Sequence, residues 1–390
     1  MKVFFTIYSY IFVIEKSYYN NHYYLIILLV FLLSLTNADA VWSLKKTKKL
    51  KLVVVPYWHV AIIQLQLVIC YMGGAFAKFN WDWFRGEPMA RFLSQNYDMP
   101  FIGQYFNLKP VIFGFAYGGM FFDLLIGPAL LWRKTRLPAF FALIFFHFMN
   151  NNLFSIGVFP YLGIGSAVIF LEPETPNLLL EKLKTLCRLQ TSKQDLKPTL
   201  AESFSVNTIK PLLYTYFIFQ ILLPFRHFLY SGNVSWTEEG HNFAWHMKLR
   251  AKQATAHFRL FDGIGKEYKI NQHEFLNPKQ ALKMTTRPHM LMQFAKFLGK
   301  EFEKRGVVNP KVFVINPASL NGRPFQYLVK PDVDLIKVDD PWYASADWIE
   351  PLIAGQAIGN YNRSEKERLS LLREAVKIQS ELIAKTNQQD

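Results

Sequence analysis

The chain has 390 residues, 51% of them hydrophobic, with 36 Phe, 19 Tyr and a formal net charge of +15. Its apolar residues gather into long runs, which argues against a water-soluble globule and for a polytopic membrane protein. The positive charge is split among separate loops, which suits a membrane flank better than a nucleic-acid surface, so no nucleic-acid partner is expected.

Seven apolar stretches follow one another, at residues 3–14, 23–35, 59–77, 111–132, 138–149, 153–171 and 211–223. About 20 residues cross a hydrocarbon core. The third, fourth and sixth are therefore expected to span, the others are short, and the second and seventh gain length from flanking aromatic residues. The stretches 138–149 and 153–171 also admit a re-entrant hairpin with Asn150, Asn151 and Asn152 buried in protein. Lys2 and the first run lead to Glu15 and Lys16 without a small-residue cleavage site, so no secretory signal is expected. The abrupt start inside an apolar segment suggests a missing N-terminal part. Cys70 in an apolar run and Cys187 in a basic loop are not expected to form a disulfide.

Lys45, Lys46, Lys48, Lys49 and Lys51 occupy one loop, Arg133, Lys134 and Arg136 another, and Lys182, Lys184, Arg188, Lys193 and Lys197 a third. Counting crossings puts all three on one face, which the positive-inside bias makes cytoplasmic. The opposite face then carries the turn at His22, the segment 78–109 and everything after Pro224.

Past Pro224 the texture changes. Residues 255–262 alternate with period 2, and Gly263 and Gly265 offer a turn into 267–270, which reads as a hairpin. Residues 278–305 have helical spacing, with Leu282, Met290, Phe294, Phe297 and Phe302 on the apolar face. Residues 311–315 and 325–329 are strand candidates separated by the turn signal Asn321-Gly322, and 364–386 reads as a charged, solvated helix. The expected organisation is a membrane α-helical bundle over 1–224, an interfacial connecting segment over 225–252, and an extracytoplasmic α/β domain with a β-rich core over 253–390.

Lys78 closes the apolar run and opens the aromatic, acidic segment Phe79-Asn80-Trp81-Asp82-Trp83. An amine at such a boundary either snorkels to water or sits in low dielectric, where amines become usable bases. Topology sets His22, His147 and His227 on the same side as Lys78, and ionisable groups at membrane segments default to a functional hypothesis. Each also has a plainer reading, as an interfacial cap or a packed, hydrogen-bonded imidazole. The histidines lack close metal-ligand spacing, so no metal is expected.

At these residues the chain resembles the vitamin K-dependent γ-glutamyl carboxylases and their bacterial-type homologues. The matching motifs are Asn20-Asn21-His22-Tyr23-Tyr24-Leu25, Val55-Pro56-Tyr57-Trp58, the run from Gly74 to Trp83, and Phe146-His147-Phe148-Met149-Asn150-Asn151-Asn152-Leu153-Phe154-Ser155-Ile156-Gly157. Leu223-Pro224-Phe225-Arg226-His227-Phe228-Leu229 and the run from Trp236 to Trp245 complete the series. Order and spacing are kept from about Ile11 to Trp348.

The resemblance implies a membrane enzyme that couples oxygenation of vitamin K hydroquinone, to its epoxide, with carboxylation of peptide glutamate to γ-carboxyglutamate. Lys78 matches the family base that deprotonates the hydroquinone, with dioxygen and carbon dioxide as co-substrates. His22 matches a histidine tied to the carboxylation step, and His147 is expected to hydrogen-bond the quinone oxygen, with Phe146, Met149 and Asn150 around it. The Phe-rich fourth to sixth segments, with Gly114, Gly118 and Gly119 permitting close helix approach, are expected to form a cleft open to the bilayer. His227, Trp236, His241, Trp245 and Arg250, with Lys252, are expected to meet the glutamyl peptide. The segment 236–245 has a second reading, an amphipathic helix lying on the membrane. Animal members carry a tyrosine-rich stretch where this chain has His241, Phe243 and Ala244, so an uncoupled quinol epoxidase or a non-catalytic carrier are the alternatives.

Overall fold

The computed structural model describes residues 1–38, 52–154, 156–172, 175, 198–200, 206–339 and 343–353. The predicted helix at 364–386, the basic runs at 45–51 and 182–197, and Cys187 lie outside the described residues. The chain falls into two compact units, Met1–Ala77 with Gly119–Pro224, and Lys78–Gly118 with Phe225–Asp390.

The helices are α1 (Lys2–Ile14), α2 (Asn21–Ser34), α3 (Trp58–Ala77), α4 (Trp81–Phe84), α5 (Glu87–Ser94), α6 (Lys109–Leu131), α7 (Arg136–Phe154), α8 (Phe159–Ala167) and α9 (Val206–Leu222). Four helices are long and apolar enough to cross a membrane: Trp58–Ala77, Lys109–Leu131, Arg136–Phe154 and Asn207–Leu229. The sixth stretch was expected to span, but it is broken. Helix α7 runs straight through Asn150, Asn151 and Asn152 and takes Leu153 and Phe154 with it, so the predicted turn at the asparagines is absent. The break comes instead at Gly157, whose φ of +62 ends helical geometry, and Pro160 then opens α8. What remains, Phe159–Phe170, is one of the shorter apolar helices.

Helix α7 shows how these helices are turned. Phe141, Phe145 and Phe148, spaced by four and three residues, are exposed, whereas Ala139, Leu143, His147 and Asn150 are buried. Polar residues therefore face the protein and phenyl rings face outward, the arrangement a lipid solvent demands. The first unit's interior is held by neutral hydrogen bonds. Gln220 Nε2 donates to Tyr24 Oη at 3.0 Å, Tyr216 Oη donates to Gln66 Oε1 at 2.7 Å, and Gln64 Nε2 donates to the Ile169 carbonyl at 3.0 Å. The glycines expected to allow helix contact do not do so, because a side chain at Gly114, Gly118 or Gly119 would meet open space. Close approach occurs at Gly127, against Val68, and at Gly163, against His147.

The second unit contains two three-stranded antiparallel sheets. One orders Glu267–Lys269, His257–Phe261 and Lys311–Ile315; the other orders Lys252–Ala254, Pro317–Leu320 and Gln326–Tyr327. The hairpin predicted around Gly263 and Gly265 forms, but Arg259 on its outer face is buried too, laid against Glu267 at 2.8 Å. The helix predicted over 278–305 is two helices, Pro278–Thr285 and Pro288–Lys304. Pro288 has no N–H and drives Arg287 out of helical geometry, with φ −130° and ψ 104°. Leu282 and Phe297, expected on the apolar face, are exposed. The strand expected over 325–329 pairs only at Gln326–Tyr327, with a separate bridge from Val329 to Ile349. A helical membrane part followed by a β-rich module is the resulting fold.

Candidate functional site

Lys78 immediately follows the last residue of α3, where the chain turns sharply: Asn80 N–H donates to the Lys78 carbonyl at 2.8 Å, and the Asn80 side chain caps α4 by accepting from Trp83 N–H at 3.0 Å. Helix α4 brings the Trp83 ring under the amine, with Nζ 5.3 Å from the ring centroid. The indole is fixed in turn, since Trp83 Nε1 donates to the Ala116 carbonyl at 2.9 Å. Lys78 is only 6% exposed, so it does not snorkel to water.

One residue before Trp83, Asp82 takes a two-pronged salt bridge from Arg323, at 2.6 and 2.8 Å, and a hydrogen bond from Asn321 Nδ2 at 2.7 Å. Burial would raise this carboxyl, but hydrogen bonds from Arg323 and Asn321 outweigh it and hold Asp82 below the ordinary carboxylate range. Glu87, at the start of α5, lacks such anchoring. Burial pushes it up to about 7 against the opposing Arg91.

The same unit gathers the residues that follow the last apolar helix. Of residues 238–248, Glu238, Phe243, Trp245 and Lys248 take positive φ values of 65°, 64°, 56° and 53°, and Gly240 joins them at 69°. Left-handed geometry at a non-glycine residue costs roughly 1–3 kcal/mol and persists only where the surroundings impose it. At Gly240 the requirement is also steric, because a Cβ would run into the His227 backbone. This contorted loop sets three imidazoles in series, edge to face: His227 and His246 have ring centroids 5.0 Å apart, and His246 Nδ1 lies 3.2 Å from His241 Nδ1. Arg250 Nη1 approaches His241 Nε2 at 2.7 Å, while its Nη2 reaches Glu238 at 2.6 Å. Lys252 holds the other Glu238 oxygen at 2.8 Å and also donates to the carbonyls of Trp236 and Thr286.

The electrostatics follow from that packing. Burial, reinforced by Arg250 and His246, drives His241 well below its ordinary range, and burial with His227, Arg250 and Lys78 lowers His246 to about 3. Both are neutral imidazoles at physiological pH. Burial would raise Glu238, but Arg250 and Lys252 hold it below the ordinary range, so it is a carboxylate. Burial also brings Lys252 down to about 8 despite Glu238. Arg250 and Lys252 thus outnumber the carboxylate between them, and an excess of fixed cations in low dielectric attracts a further carboxylate. Lys78 and this cluster belong to the same compact unit.

Two of the residues expected to meet the glutamyl peptide are enclosed by protein. Trp236 and Trp245 are fully buried. Trp236 belongs to the hydrophobic core, and its Nε1 donates to the Glu350 carbonyl at 2.7 Å. These indoles brace the loop rather than line its surface. Only Val234–Thr237 is helical in this region, so the alternative of an amphipathic surface helix over 236–245 does not hold.

In the first unit the structure pairs His22 with His147 around one phenyl ring, Phe159, at centroid distances of 6.4 and 5.4 Å. His147 is fully buried, its Nε2 lies 2.8 Å from Tyr71 Oη, and its Nδ1 has no hydrogen-bond partner among the described residues. Phe146 is half-buried and stacks on Phe122 at 3.8 Å, Met149 is half-buried and Asn150 is buried. A buried imidazole nitrogen left open among aromatic rings fits a ring-shaped, apolar ligand with a polar oxygen, as a quinol is.

Sequence reasoning missed Tyr71, Asp123, Glu238, His246 and the Asp82–Arg323 pair. Asp123 left a readable signal, a lone acid within the apolar run 111–132; the others left none. Among the described residues no group of three or more His, Cys, Asp or Glu is placed to hold a metal ion.

Two family models match the chain. Residues 1–174 match the HTTM domain, and residues 206–354 match the lumenal domain of vitamin K-dependent gamma-carboxylase. No solved structure matches it.

Proposed function

Because the chain belongs to the vitamin K-dependent γ-carboxylase family, we propose that it is a multi-pass membrane enzyme that couples oxidation of vitamin K hydroquinone to carboxylation of glutamate in a peptide. Its basic segments face the cytoplasm and its lumenal domain lies on the other side. Vitamin K hydroquinone supplies, through its oxygenation to the epoxide, a base strong enough for the γ-carbon of glutamate, which no side chain can provide.

Lys78 is the proton acceptor in this reading. The single observation that supports it is the burial of this amine against Trp83, in the unit that also carries the neutral His246 and His241 and the cationic Arg250. A shielded amine with neutral imidazoles nearby can take a proton without water competing for it. Arg250 and Lys252 draw in the glutamyl carboxylate, His241 fixes the direction of the Arg250 guanidinium, and His227 borders the same loop. In the helical unit, His147 offers Nδ1 to a quinol oxygen, and His22 stabilises charge in the carboxylation step.

Purified protein given reduced vitamin K, oxygen, labelled bicarbonate and a glutamyl peptide is expected to form epoxide and to label the peptide. Lys78→Ala is expected to abolish both. Epoxide without label would make the protein an uncoupled quinol epoxidase, and binding without epoxide would make it a carrier. Epoxide formation that survives Lys78→Ala would remove Lys78 from the chemistry.

A further inference from the structure

The Asn321-Gly322 turn joins two parts of the proposed site. It follows the strand Pro317–Leu320, with φ of 50° at Asn321 and 81° at Gly322, and Arg323 N–H donates to the Leu320 carbonyl at 3.1 Å. Two positive φ values in succession belong to a type I′ turn, which asparagine followed by glycine adopts readily. Glycine is also required sterically, because a Cβ at Gly322 would run into the Arg91 guanidinium. Asparagine here does more than tolerate the turn: Asn321 is fully buried.

Its carboxamide bonds in two directions. Oδ1 accepts from Ala251 N–H at 2.8 Å, and Nδ2 donates to Asp82 at 2.7 Å. The orientation of the amide follows from its partners, since a backbone N–H can only donate and a carboxylate can only accept. Reversing it would break both bonds. The backbone adds a third, from Asn321 N–H to the Ala251 carbonyl at 2.9 Å, and Arg323 grips Asp82 from the other end of the turn at 2.6 and 2.8 Å.

Each bond ends beside a functional group. Ala251 stands between Arg250 and Lys252, the cations that draw in the glutamyl carboxylate. Asp82 precedes Trp83, whose ring lies under the Lys78 amine. One carboxamide therefore ties the backbone of the cation cluster to the side chain next to the amine's platform, all within one compact unit.

We propose that Asn321 is a positioning residue that couples the two halves of the reaction: it holds the Lys78 segment in register with the Arg250 and Lys252 cluster, so that the base generated from the quinol meets the glutamyl γ-carbon. This inference rests on the proposed vitamin K reading of the site. When the carboxamide is lost, Arg323 still holds Asp82, so proton removal by Lys78 suffers less than the registration does. Out of register, dioxygen still converts the quinol to epoxide, but the base takes its proton from water instead of from the γ-carbon, and no carbon dioxide is captured.

Asn321→Gly keeps the left-handed turn and removes only the carboxamide. The full chain in lipid nanodiscs is given reduced vitamin K, oxygen, labelled bicarbonate and a glutamyl peptide, and peptide label and epoxide are measured in the same sample. The label-to-epoxide ratio is expected to fall by about tenfold in Asn321→Gly, within the roughly 100-fold that a misplacement of about 1 Å can cost. Asn321→Asp keeps the bond from Ala251 but sets a second carboxylate against Asp82, so it is expected to lower the ratio as well, and it carries the test if the glycine variant does not fold. Label and epoxide that fall in proportion, or a ratio that neither variant moves, would overturn the proposal while leaving the vitamin K reading intact. A parent that forms no epoxide would overturn the vitamin K reading, and the proposal with it.

Discussion

The two units bury polar groups in opposite ways. The helical unit joins neutral partners two at a time, Tyr24 with Gln220, Tyr216 with Gln66 and Tyr71 with His147. The second unit buries ions in pairs and clusters, Asp82 with Arg323, and Glu238 with Arg250 and Lys252. Lipid supplies no water to relax an uncompensated charge, so neutral pairs are the economical way to place polarity inside a membrane bundle. A domain with wet surfaces tolerates buried ions when geometry and hydrogen bonding compensate them.

Removing one ion from the second unit should have the largest effect. Glu238→Gln leaves Arg250 and Lys252 buried without their counter-charge, a loss of about 3–5 kcal/mol. Thermal or denaturant unfolding of the detergent-solubilised protein measures it, and a loss within about 0.5 kcal/mol, typical of a surface substitution, would mean that the cluster is solvated. Breaking a neutral pair should cost less. Tyr216→Phe leaves the fully buried Gln66 amide without its bond, a loss of roughly 1–3 kcal/mol by the same measurement.

The smallest effect is graded by pH. His246 titrates at about 3 in the folded chain against 6.5 ordinarily, so the unfolded chain takes up that proton first. Its contribution is present above 6.5 and is lost as pH falls toward 3, with a limiting slope of about 1.4 kcal/mol per pH unit. Glu87, raised from 4.5 to about 7, works the other way: its contribution is present below 4.5 and is lost as pH rises through about 7. His246→Asn should therefore lose less stability than the parent on acidification from about pH 6.5 to about pH 5. Identical pH profiles for the two would show that His246 is not held neutral by its surroundings.

The contrast between units also explains what could be read in advance. Apolar runs and their flanking charges depend on local pattern, so the spanning helices at 58–77 and 109–131 and the boundary position of Lys78 were legible. The break at Gly157 was not, because the three asparagines look like the stronger turn signal until α7 is seen to carry them in helical register. Glycines at 114, 118 and 119 suggested helix contact, but glycine permits close approach without causing it. The Asp82–Arg323 bond joins residues 241 apart in the chain, and no periodicity predicts such a partner. Trp236 and Trp245 were expected at a substrate surface, because an aromatic residue has the same signature in a motif whether it lines a site or braces it from behind.

In the proposed function, Lys78 starts coupled quinol oxidation and glutamate carboxylation. Its most direct test is incorporation of labelled carbon dioxide into a glutamyl peptide, by the parent and by Lys78→Ala, with reduced vitamin K and oxygen present. The parent is expected to label the peptide and the variant is not; equal labelling by both would remove Lys78 from the chemistry.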